Sequence, residues 1–300
     1  MHRIAFSLAL VVCALAPAVA QDGRALRVSA SSATIQPGSV VLLSVTTAAP
    51  LSKLDGRAFG RPVRFWPAAE TGEWRGLVAA DLEAKPGAYD VALTGADAQG
   101  ASQTGTIKLT VRMKRFETRR LSVGAEFVNP PAAEAERIAA EAKRLASLFT
   151  QTTPRVWRGS FQLPVPSEAT SSFGRLTVLN GSPRGRHQGA DFRAASGTPV
   201  VAPNAGRVVL AEDLYFSGNT VVLDHGLGMF SLLAHLSRID VTQGQDVERG
   251  AVVGASGATG RVTGPHLHWA LRLSEFSVDP LSVVTVLTDL KEPVRAQSGR

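Results

Sequence analysis

Residues 264–269 read Gly-Pro-His-Leu-His-Trp, and this stretch decides how the C-terminal part of the chain is interpreted. A β-strand places residues i and i+2 on the same face. If the stretch is a strand, His266 and His268 therefore point into one site. Imidazole is a common ligand of catalytic zinc, so the two rings are candidates for a metal site.

The sequence around that stretch predicts an all-β domain over residues 161–288. Glycine is frequent there, and short β-branched runs recur between the glycines, which is typical of short strands joined by tight turns. Five of the six histidines of the chain lie in this segment, and the sixth is His2. The β-branched runs are Thr198–Val201, Arg207–Leu210, Thr220–Leu223 and Ala251–Val253.

Two further motifs in the segment carry candidate functional side chains. His187 and Asp191 form an H-x-x-x-D pair, and His235 lies in an Ala-His-Leu stretch. Each motif alone is weak, because such pairs also occur on ordinary protein surfaces. Together they offer the mixed nitrogen and oxygen donors that a catalytic zinc takes from three protein ligands. The full sequence has a single cysteine, Cys13, and it lies in the predicted leader. Thiol ligands are therefore excluded from the predicted mature chain.

In order and local context, these motifs resemble the lysostaphin-type, or LytM-type, zinc metallopeptidases over roughly residues 155–285. Where that family often has Tyr before its Ala-His-Leu-Ser motif, this chain has Leu233. The matching stretches are Ser172-Phe173-Gly174, Asn180-Gly181, Gly189-Ala190-Asp191-Phe192, Gly197-Thr198-Pro199-Val200, Gly218-Asn219-Thr220-Val221, Asp224-His225-Gly226, Ala234-His235-Leu236-Ser237, Thr259-Gly260-Arg261, the closing Gly264–Trp269 stretch and Asp279-Pro280.

The resemblance implies a fold, a metal and a reaction. The fold is the antiparallel β catalytic domain of the lysostaphin/LytM (duplicated hybrid motif) type, over residues 161–288. One Zn²⁺ per chain is held by His187, Asp191 and His268. His235 and His266 are the implied catalytic residues, and either one is a candidate general base. The implied reaction is hydrolysis of peptide cross-links in bacterial peptidoglycan through a zinc-activated water, with the peptide stems as substrate. His225 is interpreted as structural.

Residues 24–113 predict a second β domain, which we interpret as an immunoglobulin-like sandwich. Alternating apolar positions recur at Leu26, Val28 and Ala30, and a later run extends from Ile107 to Met113. The predicted domain contains no histidine, so we expect it to supply no catalytic group. The aromatic residues Phe65, Trp66 and Trp74 are interpreted as packing residues.

Residues 114–160 predict a linker with one amphipathic helix of about 17 residues. Asn129 is the expected helix cap, and the prolines that follow it suit a first turn. The apolar residues Ile138, Ala142, Leu145 and Phe149 follow at helical spacing and predict the docking face. A spacer between the two β domains is the preferred role of this segment.

Residues 1–20 predict a secretory signal peptide that ends at Ala18-Val19-Ala20. A retained anchor and a lipoprotein modified at Cys13 are the alternatives, and Val12 before that cysteine argues against the second. No later segment is apolar and long enough to predict a stable membrane span. The protein is expected to be exported, with the periplasm favoured over the extracellular space.

The formal charge of +7 becomes +6 once Arg3 leaves with the leader. A basic exported protein suits an anionic polymer such as a cell wall, although solubility alone explains the charge equally well. The basic residues are scattered, so no nucleic-acid binding is predicted. A monomer is favoured, with the oligomeric state left open. A non-enzymatic regulator of wall hydrolases and a pure wall-binding module remain the alternative functions.

Overall fold

A computed structural model describes residues 26–290, apart from positions 48, 71, 123–129, 172 and 289. The predicted leader at 1–20 and the expected helix cap Asn129 lie outside the described residues. Strands dominate, which confirms the prediction of a mainly β protein. Within the described part of the chain, no helix is long and apolar enough to cross a membrane.

The N-terminal part forms one eight-stranded sheet in the order β1-β3-β6-β5-β4-β7-β8-β2. Its pairs are antiparallel except for β2 and β8, which run parallel. Leu26, the residue before β1, donates its backbone N–H to the carbonyl of Thr104 on β8, so β1 lies close to the other end of the strand order. The strands are β1 Arg27–Ala30, β2 Thr34–Ile35, β3 Val40–Thr46, β4 Lys53–Ala58, β5 Arg61–Pro67, β6 Glu73–Ala79, β7 Gly87–Ala96 and β8 Ser102–Val111.

Adjacent aromatic residues on β5 face two different cores. Phe65 is buried among the apolar side chains of the N-terminal sheet, whereas Trp66 is buried against the C-terminal part of the chain. This division follows from the alternation of side chains along a strand. Met113 departs from the predicted alternation, because it lies beyond β8 and is 70% exposed. The immunoglobulin-like arrangement stays a prediction.

The segment predicted as a linker contains more structure than one helix. It includes β9 (Thr118–Leu121), a 3₁₀ turn (Ala132–Glu134) and α1 (Ala135–Phe149). β9 pairs in parallel with β11 (Leu176–Leu179), which also pairs with β12 (Ser182–Arg186). The three strands form a small sheet directly before His187, so this segment belongs in part to the surroundings of the candidate site.

Helix α1 packs on the C-terminal part of the chain through its last turns. The ring of Phe149 lies 5.6 Å from that of Phe230 in an edge contact, and Leu145 packs beside it. Docking through an apolar stripe is therefore observed, although Ala142 is exposed and does not belong to it. The neighbouring Glu141 contacts the C-terminal part of the chain instead, because its carboxylate accepts a hydrogen bond from the backbone N–H of Tyr215 at 2.9 Å.

The C-terminal part forms a ten-stranded sheet with the main order β10-β13-β20-β17-β16-β15-β18. Its strand pairs are antiparallel, and β14, β19 and β21 join it at β17 and β20. Beyond β11 and β12, the elements are β10 Ala169–Ser171, β13 Gly189–Phe192, β14 Pro199–Val201, β15 Gly206–Leu214, β16 Gly218–Gly226, β17 Met229–Ile239, β18 Asp246–Val247, β19 Val252–Ser256, β20 Leu267–Leu273, β21 Phe276–Val278 and α2 Pro280–Leu287.

The two β regions share a buried apolar contact. Trp66 meets Trp157 edge to face, with 5.0 Å between the ring centroids, and both side chains are almost fully buried. The contact continues at the start of α2, where Val40 donates its backbone N–H to Ser282 Oγ at 3.0 Å. Asp279 also donates its backbone N–H to the carbonyl of Gly38. These contacts fix the N-terminal sheet against the sheet that carries the histidines.

Candidate metal centre

Three neighbouring strands bring the predicted site residues together. Asp191 on β13 is directly opposite His268 on β20, and His268 is opposite Ala234 on β17. His187 lies two residues before the start of β13, and His235 follows Ala234 on β17. The strand that was predicted from His266 onward is observed as β20, with His266 forming an isolated bridge to Gly257 immediately before it. All five predicted side chains therefore converge at one end of the sheet.

The three predicted ligands present one donor atom each to a common point. His187 Nε2 lies 3.1 Å from Asp191 Oδ1 and 3.1 Å from His268 Nδ1. His268 Nδ1 lies 2.9 Å from Asp191 Oδ1. We call this triad the metal cluster. Its three candidate ligand atoms all lie within 4.8 Å of one another.

The metal cluster fits zinc by donor chemistry and by spacing. Two imidazoles and one carboxylate leave a fourth position open, which is the donor set of a catalytic rather than a structural zinc site. Metal–ligand bonds of ~2.1 Å in a tetrahedron would place the ligand atoms ~3.4 Å apart. The separations of 2.9–3.1 Å are close to that spacing.

Electrostatics favours the metal-binding forms of Asp191 and His268. Burial opposes ionisation of Asp191, but hydrogen bonds with His187 and His268 outweigh it and hold the pKa of the carboxyl below its usual range. Burial also lowers the pKa of His268, against the opposing effect of its hydrogen bond with Asp191. An ionised carboxylate and neutral imidazoles are the forms that bind a metal.

His235 occupies an irregular point of β17. Its φ is +64°, and the pairing between β16 and β17 shifts register at this position. Its backbone N–H donates to the carbonyl of Ser217 at 2.8 Å, instead of continuing the regular ladder. A bulge of this kind re-aims a side chain next to an active site. Positive φ is uncommon for a residue with a side chain, although histidine tolerates it better than most.

Backbone carbonyls fix the rings of His235 and His266. His235 Nδ1 lies 3.0 Å from the carbonyl of Thr259, and His266 Nδ1 lies 2.8 Å from the carbonyl of Gly264. A carbonyl can only accept, so both Nδ1 atoms carry a proton, and Nε2 is the nitrogen that has the lone pair when the ring is neutral. His266 Nε2 lies 3.8 Å from Asp191 Oδ1, and the two rings are 4.9 Å apart.

His235 is neutral at ordinary pH. Burial, helped by the nearby His268, lowers its pKa to about 4. The ring lies 5.9 Å from that of His268, so a neutral imidazole stands directly beside the metal cluster. Neutral imidazole is the form that accepts a proton in general base catalysis.

Three supporting residues were not predicted from the sequence in these roles. A Cβ atom at Gly189 would lie 2.7 Å from the ring of His268, so only glycine leaves room for that ring. Thr259 and Gly264 act through their carbonyls, as described above. Gly189, Thr259 and Gly264 all lie inside motifs that the sequence displays, and this is the only signal that pointed to them.

His225 lies deep in the same sheet, away from the metal cluster. Its Nδ1 donates to the carbonyl of Ala205 at 2.7 Å, and its Nε2 lies 2.8 Å from Ser231 Oγ. Trp269 donates its Nε1–H to the same hydroxyl at 3.1 Å. Both ring nitrogens are therefore bonded inside the fold, in agreement with the structural interpretation of this histidine. Asn219 donates its side-chain amide to the carbonyl of Leu236 beside the bulge.

Together these features define a candidate mononuclear metal centre in an antiparallel β domain. The family model for Peptidase family M23 matches residues 185–280, which contain all five site residues. A solved structure from Pseudomonas aeruginosa assigned to peptidase M23 is 31% identical, with a TM-score of 0.63. The superposition covers 83% of this chain and 93% of that one. The chain belongs to peptidase family M23.

Curated relatives are similar over about a third of the chain. "Peptidoglycan DD-endopeptidase ShyA" of Vibrio cholerae is 48% identical over 85 residues, which are 28% of this chain and 20% of the relative. "DD-carboxypeptidase/endopeptidase Mpg" of Neisseria meningitidis is 39% identical over 110 residues, which are 37% and 25% of the two chains. The matched part therefore spans a quarter or less of these two relatives.

Proposed function

We propose that this protein is a zinc-dependent endopeptidase that hydrolyses the peptide cross-links of bacterial peptidoglycan. The observation that carries the proposal is the convergence of a His–Asp–His metal cluster with two further histidines whose Nε2 atoms have the lone pair when the rings are neutral. Membership of peptidase family M23 and similarity to relatives named peptidoglycan DD-endopeptidases support the choice of substrate.

His187, Asp191 and His268 would hold one zinc ion per chain through Nε2, Oδ1 and Nδ1. When bound there, zinc supplies Lewis-acid polarisation and lowers the pKa of water to about 7. The carboxylate contributes the single negative charge of the ligand set. The cluster's low accessibility, with its three residues part-buried, limits competition from bulk solvent.

His235 and His266 would carry the proton transfers. A neutral ring accepts the proton of the attacking water at Nε2, while Nδ1 stays bonded to its backbone carbonyl. The protonated ring then passes the proton to the leaving amine. The second histidine would stabilise the developing oxyanion by hydrogen bonding. Either residue fits the role of base, since both share the same tautomer and the same kind of partner.

The protein is further proposed to act after export, in the periplasm, as the predicted leader at 1–20 and the location of peptidoglycan suggest. The N-terminal sheet would contribute no catalytic group. The non-enzymatic regulator is the weaker candidate, because regulators of this kind lack part of the site and this chain retains all five residues.

Purified cross-linked muropeptides and intact sacculi test the proposal directly. Zinc-loaded protein is expected to convert cross-linked dimers into monomers, with the products identified by mass spectrometry. The His266→Ala protein is the matched inactive control. Intact dimers after incubation with the zinc-loaded wild type would contradict the proposed function and favour the regulator.

A further inference from the structure

His187 reaches the metal cluster from a short segment that lies outside the ten-stranded sheet. Its backbone N–H donates to the carbonyl of Arg175 at 2.9 Å, and its carbonyl accepts from the backbone N–H of Gly174 at 2.7 Å. The other two members of the cluster, Asp191 and His268, lie opposite each other on paired strands of the sheet. The position of His187 therefore depends on Gly174 and Arg175.

The segment that holds His187 packs against parts of the chain outside residues 161–288. Phe173 is almost fully buried, and its ring lies against Gly38, in the turn between β2 and β3, where a Cβ atom would overlap it. The ring of Phe116, just before β9, covers Gly174 in the same way. The N-terminal sheet and the segment at 114–160 therefore both contact the residues directly behind His187.

Arg186 binds the same segment from the other side. Its Nη1 donates to the carbonyl of Gly174 at 3.1 Å, while the backbone N–H of Gly174 donates to His187. The guanidinium carbon of Arg186 lies 5.2 Å from the centroid of the Phe116 ring. Stacking over an aromatic face restrains a planar guanidinium and keeps its donors in one direction. Arg186 and Phe116 thus hold Gly174 between them.

The N-terminal sheet also contacts Arg186 directly. Glu83, in the turn between β6 and β7, accepts a hydrogen bond from Arg186 Nε at 3.1 Å. The side chain of Glu83 is 74% exposed, so this ion pair is expected to contribute little alone. The bond from Arg186 to Gly174 is part-buried and carries more of the restraint.

We propose that Arg186 and Phe116 are positioning residues for the metal ligand His187, so that the N-terminal sheet and the segment at 114–160 form part of the metal centre. The inference rests on the ligand assignment made in the proposed function. Both residues act through Gly174, whose backbone holds the carbonyl of His187. A ligand that is already held in place loses less conformational freedom when the metal binds, so the restraint raises metal affinity.

The zinc Kd of the full chain, measured by competition with a chromophoric chelator, tests this proposal. Arg186→Gln is expected to raise the Kd ~10–100-fold, the usual effect of removing an outer partner of a metal ligand. Arg186→Lys should restore part of the affinity, because its ammonium group can still donate to the carbonyl of Gly174. Phe116→Leu should raise the Kd by a smaller factor, because the bond from Arg186 to Gly174 remains possible.

Arg61→Gln is the matched control. Arg61 also joins the two β regions, because its Nη1 lies 2.9 Å from Glu275 Oε2 and its guanidinium carbon lies 5.6 Å from the centroid of the Phe276 ring. Glu275 follows the end of β20 that is remote from His268, so this variant should keep the wild-type zinc Kd. An unchanged Kd in Arg186→Gln, or an equal rise in Arg61→Gln, would overturn the positioning role.

Urea unfolding of the metal-free proteins accompanies each zinc measurement. Arg186→Gln is expected to stay folded, because the pairing of β11 with β12 uses backbone groups. If it does not fold, Phe116→Leu decides the question by the same comparison with Arg61→Gln.

Hydrolysis separates this inference from the proposed function. Cleavage of cross-linked muropeptides by the zinc-loaded wild type is measured beside the zinc Kd. A raised Kd in Arg186→Gln, together with no cleavage by wild type, would retain the positioning role and reject the peptidase. Cleavage by wild type, together with an unchanged Kd in Arg186→Gln, would retain the peptidase and reject the positioning role.

Discussion

Two buried histidines in the same sheet, His225 and His235, differ in how their ring nitrogens are used. Burial lowers the pKa of both rings to about 4. His225 is bonded at Nδ1 by the carbonyl of Ala205 and at Nε2 by Ser231. His235 has a carbonyl partner at Nδ1 and keeps Nε2 beside the metal cluster. A lowered pKa therefore does not distinguish the structural histidine from the candidate catalytic one. The partner of Nε2 does, because that atom is bonded to Ser231 in His225 and lies beside the metal cluster in His235.

The largest effect is expected from Asp191→Ala, which removes a ligand from the metal cluster. The variant should lose stoichiometric zinc and fall to background hydrolysis, because two imidazoles alone make a poor zinc site. Metal content by atomic emission, measured on gel-filtered protein, checks this. His225→Asn is the control and should retain zinc. One tightly bound zinc in Asp191→Ala would show that the ligand assignment is wrong.

His235→Ala and His266→Ala should each lose ~10²–10⁴-fold in kcat, the usual contribution of a general acid–base group. Both variants should keep one zinc, because neither side chain belongs to the metal cluster. Steady-state hydrolysis of a cross-linked muropeptide and metal content are measured together. Turnover close to wild type in both variants would remove these residues from the chemistry.

His225 should make the stability of the protein depend on pH. Its pKa is about 4 in the folded protein, below the ordinary value of 6.5, so the unfolded chain binds the proton more tightly. Its contribution is fully present above pH 6.5 and is lost as pH falls from 6.5 through about 4. The total loss is roughly 3 kcal/mol.

Urea unfolding of the metal-free protein between pH 4 and 7 measures this dependence. His225→Asn cannot titrate and keeps an amide donor for the carbonyl of Ala205, so its stability should fall less across the same range. Parallel pH curves for wild type and variant would exclude His225 as the source.

Ser231→Ala should have the smallest effect of the set, about 1–3 kcal/mol in the free energy of unfolding. The substitution leaves Trp269 Nε1 and His225 Nε2 without their shared hydroxyl inside the core. Zinc content should stay at the wild-type value. Ser237→Ala is the control, because its hydroxyl makes a longer bond of 3.3 Å to the carbonyl of Ala255. Equal stability of the two variants would contradict the role given to Ser231.

The sequence predicted the parts of the site that follow from local spacing. The alternation in His266-Leu267-His268 indicated a strand with both rings on one side, and that strand is β20. The structure also brings His187 and Asp191 to the same point. The partners of His235 and His266 could not be predicted, because they are backbone carbonyls and any residue provides one.

The features that the sequence did not predict depend on contacts between distant parts of the chain. Strand β9 reads Thr-Arg-Arg-Leu, which has no apolar alternation, and it exists because β11 offers an open edge. Trp66 was interpreted as a packing residue, but its contact with Trp157 depends on how the two sheets dock. The φ of +64° at His235 likewise follows from its bond to Ser217, which lies 18 positions earlier in the chain.

Titration of metal-free protein with zinc is the most direct test of the proposed metal centre. Zinc is removed by chelation, and hydrolysis of a cross-linked muropeptide is followed as zinc is returned. We predict a rate that rises in proportion to bound zinc and levels off at one ion per chain, held by His187, Asp191 and His268. Full hydrolysis by the metal-free protein, or a rate that levels off only at two ions per chain, would contradict the account.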